Sequence, residues 1–146
     1  MACDYLTPLR RTLRGHLNEY VALVPLPMWG TYEPIMLARG DGICASYDRR
    51  VLVQCLRETG CTRFVFGQNH VVSGQTFPSY GDLQECSALG RLAHIYRWTL
   101  TDFVIVARDG ATMSFAAASI LGDPLGSAGL GYAKQGLQFA YRCPSR

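Results

Sequence analysis

The chain has 146 residues, 49% of them apolar and 17% charged, with a formal net charge of +3. These proportions describe a single folded domain, residues 1–146, able to bury a core, and they exclude a disordered polyelectrolyte. Fourteen Lys and Arg stand against eleven Asp and Glu, scattered except for Arg10, Arg11 and Arg14, so charge alone argues against nucleic-acid binding.

The first segment, Tyr5 to Leu17, places Leu6, Leu9, Leu13 and Leu17 close to helical spacing, with Pro8 confining the helix start. Tyr20 to Leu26 is rich in β-formers and reads as a strand that ends or reaches an edge at Pro25, with Glu19 at its beginning. The loop around Met28, Trp29 and Tyr32 is apolar and reads as a lid on the core. A second strand is expected at Ile35 to Ala38, closed by the turn-like "RGDG" at Arg39 to Gly42. "YDRRVLVQCLRETG" follows as a helix, with Val51, Leu52, Cys55 and Leu56 on one face and Gly60 as its stop.

"RFVFG" (Arg63 to Gly67) is a short buried strand that delivers Gln68, Asn69 and His70 at its C-terminal end, where α/β folds expose ligands. Leu89, Leu92, Ala93 and Tyr96 recur at helical spacing, placing a long helix from about Ser79 to Tyr96. "DFVIVA" (Asp102 to Ala107) and "TMSF" (Thr112 to Phe115) flank the turn "RDG" as a hairpin. Beyond Gly122 the chain is glycine-rich; Gly129 to Gly136 reads as flexible chain and Leu137 to Tyr141 as a final strand. The sum is α/β, a mixed sheet flanked by helices.

No run of about 18 apolar residues is present, and Asp4 and the early arginines occupy the place where a signal peptide would need its apolar stretch. A cytoplasmic protein with no membrane segment is expected. Cys3, Cys44, Cys55, Cys61, Cys86 and Cys143 form no C-x-x-C pair, so they read as small apolar residues or idle thiols.

One stretch carries chemistry. A catalytic zinc needs about three protein ligands, an open position for water and a carboxylate to take that water's proton. His70 at the strand's end and Asp82 on the first turn of the next helix fill two ligand roles, and Glu19 could supply the base. Ser79, one helical turn before Asp82, could donate to a developing oxyanion. Ser79 and Asp82 also spell a plain capping box. His94 lies off the apolar stripe and reads as exposed, and His16 needs no special role.

These residues resemble the JAB/MPN (JAMM) metalloprotease domain in its bacterial RadC-like branch, whose pattern is an upstream glutamate, H-x-H, a spacer and S-x-x-D. The matching positions are Glu19, "QNH" (Gln68 to His70), eight spacer residues from Val71 to Pro78, and "SYGD" (Ser79 to Asp82). The branch usually reads H-N-H-P-S-G with P-S later in the loop; Asn69, His70, Ser73, Gly74, Pro78 and Ser79 keep that order, with Val71 and Val72 replacing a single proline. "TDFVIVARDGATMSF" resembles the closing hairpin, with Phe103 in place of a histidine, and "NEYVALVPL" the strand carrying the glutamate. The likeness runs from about residue 18 to 121, leaving 122–146 as a glycine-rich C-terminal extension.

The resemblance implies a JAB/MPN (cytidine-deaminase-like) architecture with metal ligands at His70, Asp82 and position 68, and Glu19 and Ser79 as catalytic groups. Position 68, however, is glutamine, whose amide oxygen is a poor zinc donor beside imidazole. Gln68 could hold zinc weakly, or hydrogen-bond Asp82 or His70 in a metal-free pocket. The leading expectation is therefore a degenerate zinc site, with zinc weakly bound or absent, in a binding module for a protein or peptide partner. The alternatives are a zinc-dependent peptidase or isopeptidase and, through the family's repair connection, a DNA-associated accessory protein. Such domains often pair, so a homodimer covering the Trp29 loop is a further expectation.

Overall fold

The computed structural model describes residues 4–39 and 47–142. Cys3, Cys44, Cys143 and residues 40–42 of the expected turn lie outside the described residues. β1 (Tyr20–Pro25), β2 (Ile35–Arg39), β3 (Arg63–His70), β4 (Thr99–Ala107) and β5 (Thr112–Ser114) form one sheet in the order β2-β1-β3-β4-β5. β3 and β4 run parallel, and the other neighbours are antiparallel. α1 (Leu6–Leu13), α2 (Arg49–Thr59), α3 (Tyr80–Tyr96) and α4 (Ser127–Arg142) flank it. The expected mixed sheet with flanking helices is what forms.

Strand alternation sorts the side chains into two cores. Val21, Leu23, Phe64, Phe66, Phe103 and Ile105 meet Leu52 and Leu56 of α2 and Leu83, Cys86 and Leu89 of α3. Ala22, Val24, Val65, Val104 and Val106 face Leu9 and Leu13 of α1 on the other side. Gly67 permits that close approach, because a Cβ there would lie 2.6 Å from Leu9 Cδ2. Continued to the end of β3, the same alternation puts Gln68 and His70 on the α3 side and Asn69 on the α1 side.

Local signals set most boundaries. Asp48 caps α2 by accepting from the Arg50 N–H, and Gly60 ends it in the left-handed conformation at φ 71°. Pro25 closes β1 beyond the last residue paired with β2, so its missing N–H leaves that ladder intact. Cys86 is buried and Cys55 and Cys61 half-buried, all as free thiols. Burial, with the Asp102 and Glu85 charges behind it, pushes the Cys86 thiol up to about 12.

The structure corrects four expectations. α1 stops at Leu13, with Arg14 extended and Gly15 at φ 80°, so Leu17 is exposed beyond the helix. Met28 and Trp29 are each 85% exposed and cover no core. Val51 points outward from α2. Most importantly, the glycine-rich tail is helical: α4 spans the segment read as flexible chain and the strand expected at Leu137 to Tyr141. Its inner face is built from small residues: Gly129 and Gly136 are buried, with half-buried Tyr132 and Ala133 between them. That is helical spacing, i, i+3, i+4, i+7, written with glycine where a helix normally carries large apolar residues.

Candidate functional site

The site lies where β3 ends and α3 begins. Ser79 caps α3 in a reciprocal box: its hydroxyl accepts from the Asp82 N–H (3.1 Å), and its own N–H donates to Asp82 Oδ2 (2.8 Å). The box fixes the Asp82 carboxylate over the end of β3. There Gln68 Nε2 donates to Oδ1, and His70 Nε2 lies 3.1 Å from Oδ2. Gln68, His70, Ser79 and Asp82 are thus brought together.

The backbone that carries Glu19 is fixed by Asn69. This residue is 1% exposed, and its amide is used at both ends: Oδ1 accepts from the Tyr20 N–H (2.5 Å) and Nδ2 donates to the Asn18 carbonyl (2.9 Å). The two bonds grip the backbone on either side of Glu19. Val21 is the register partner of Gln68, and the same antiparallel count sets Glu19 opposite His70, on the face that looks toward Asp82. The Glu19 charge is felt at the His70 ring.

Two polar contacts hold the His70 ring and bias its charge. His70 Nδ1 sits 3.0 Å from the Gln75 carbonyl and Nε2 faces Asp82. Carbonyl and carboxylate oxygens accept hydrogen bonds, so both contacts favour the protonated ring. Burial opposes the His70 charge, but the Asp82 bond and charge, the Gln75 carbonyl and Glu19 outweigh it and hold the ring above the ordinary histidine value. Burial likewise works against ionising Asp82, yet His70, the Ser79 N–H and Gln68 keep its carboxyl below the usual range.

The donor set decides what else could bind. His70 and Asp82 offer two good ligands, and the Nδ1 contact to a carbonyl is the outer partner that a ligating histidine uses. Gln68 turns its amide nitrogen to Asp82, and an amide nitrogen has no lone pair to give. Among the described residues no group of three or more His, Cys, Asp or Glu comes together to hold a metal ion.

A cleft of about 410 Å³ opens beside His70, walled by Phe77, Pro78 and Ser79 on one side and by α4 on the other. Ser79 is exposed at this cleft, and its hydroxyl proton can still be donated into it. His94 is exposed, while His16 bonds the Thr12 carbonyl (2.7 Å) and packs on Tyr20.

Sequence reasoning missed Asn69 as a clamp, although a polar residue on the α1 face of a buried strand was its signal. It missed Asp102 as well. That fully buried acid accepts from Tyr5 Oη (2.8 Å), Ser114 Oγ (2.5 Å) and the N–H groups of Phe103 (2.8 Å) and Ala116 (2.9 Å). An acid opening an apolar strand was the clue.

No protein-family model matches the chain, and no curated protein matches it either. Among the described residues no helix is long and apolar enough to cross a membrane.

Proposed function

We propose that the chain is a RadC-like JAB/MPN-type domain whose zinc site has been closed by Gln68, and that it works as a binding module rather than a hydrolase. One observation carries this reading: the side chain at the first ligand position hydrogen-bonds Asp82, while His70 meets the other oxygen of the same carboxylate. Both remaining ligands are thereby occupied. A metal would have to displace two hydrogen bonds and a proton, with no third strong donor in return. Metal analysis of protein purified without added zinc tests it. Well under one zinc per chain is expected, and one tightly held zinc per chain contradicts the proposal.

A second reading, a zinc-dependent peptidase or isopeptidase, is favoured by the Nδ1 contact of His70 with a carbonyl and by Glu19 held opposite that ring. It requires chelator-sensitive peptide hydrolysis that disappears in Glu19→Ala.

A further inference from the structure

The cleft beside His70 is a built groove. Gln75 Nε2 reaches the Gly136 carbonyl (3.5 Å), and the Phe77 and Tyr132 rings stack at 6.5 Å, so α4 is fastened to the loop it faces. A Cβ on Gly136 would lie 3.0 Å from Phe77 Cβ, which is why α4 can approach so closely. The mouth is apolar and open: Tyr80 is 56% exposed, Leu130 42% and Leu137 65%, and all three line this one cleft. Large apolar side chains gathered on a surface mark a place where something docks.

Midway between Leu130 and Leu137 stands Lys134, the only lysine in the chain. It is exposed, it lines the cleft, and among the described residues no carboxylate lines the cleft with it. The seven-residue step from Leu130 to Leu137 spans about 10 Å of helix, the length of about three residues of extended chain. In such a chain the first and third side chains point one way and the second the other. We infer that the groove takes an extended peptide segment of the pattern apolar–acidic–apolar. The two apolar side chains enter between α4 and Phe77, and the acidic one turns to Lys134 at the rim. A nucleic-acid strand would need a run of cations, and among the described residues the groove has only this exposed one. The inference rests on the binding-module reading and supplies its partner chemistry.

A fluorescein-labelled, C-terminally amidated Gly-Phe-Glu-Leu-Gly peptide, followed by anisotropy with the full-length protein, is the probe. Saturable binding is expected. Lys134→Glu weakens it roughly threefold to tenfold, and changing Glu to Lys in the peptide restores binding to that variant. Leu137→Ser, at an exposed position, also weakens it. Absence of saturable binding, binding indifferent to Lys134→Glu, or equal binding of a peptide with Ser in place of Phe and Leu overturns the inference. Zinc uptake by Gln68→His is measured on the same preparations. Zinc uptake without peptide binding removes the groove and leaves the site reading standing, whereas peptide binding without zinc uptake removes the metal-site reading and leaves the groove.

Discussion

Two glycines of α4, two positions apart, are expected to respond to the same substitution with opposite signs. At Gly131 an added Cβ meets nothing within 4 Å, so Gly131→Ala gains only the helix preference of alanine, a stabilisation of about 1 kcal/mol. At Gly129 the same Cβ would sit 1.9 Å from the Pro124 carbonyl oxygen and 3.5 Å from Leu83 Cδ2. The first of these is backbone of the turn that leads into α4 and cannot rotate away, so the first turn of the helix must shift against it. Overpacking of this kind costs about 1–3 kcal/mol or more, against the same gain of about 1 kcal/mol. Net destabilisation of up to about 2 kcal/mol is expected for Gly129→Ala. Urea unfolding of both variants reads the difference directly. If Gly129→Ala stabilises as much as Gly131→Ala, the Pro124 backbone does not pack against the first turn of α4 as described.

Asn69→Ala removes both bonds around Glu19 and leaves the Tyr20 N–H and Asn18 carbonyl without their partner; it costs about 2–3 kcal/mol and speeds amide exchange at Tyr20 selectively. Asp102→Ala strands four donors, from Tyr5 just before α1, from β4, from β5 and from the segment after β5; a loss of about 3–5 kcal/mol by denaturant titration is expected, and a change under about 1 kcal/mol contradicts the role given to that acid. The His70–Asp82 pair makes stability pH-dependent with a definite sign. The raised His70 value gives stabilisation that is complete below 6.5 and lost as pH rises through the folded value, and the lowered Asp82 value gives stabilisation complete above 3.8 and lost as pH falls through its folded value. The stability gap between wild type and His70→Gln is therefore widest between those limits and narrows on both sides, which parallel melts across pH read out.

What was legible in the sequence follows from what periodicity encodes. β3 and α3 announced themselves through "RFVFG" and the Leu89, Leu92, Ala93 stripe, and the Ser79–Asp82 spacing spelled the cap that aims Asp82. Because side chains alternate along a strand, Gln68 and His70, two apart, had to share a face. α4 was hidden because its contact surface is Gly129 and Gly136, where closeness of backbone replaces apolar bulk, and glycine without tertiary context reads as loop. The Asn69 clamp and the Asp102 hub were hidden for a different reason: their partners lie 49 to 51 and up to 97 residues away, and no local pattern reports such distances.

Calorimetric titration of zinc into wild type and Gln68→His, with His70→Ala and Asp82→Ala placed in the histidine background, tests the central claim most directly. If Gln68 is what disables the site, Gln68→His binds one zinc more tightly than wild type by more than about a hundredfold, and either alanine abolishes the gain. Equal zinc affinity in wild type and Gln68→His, or a gain that survives loss of His70 and Asp82, contradicts it.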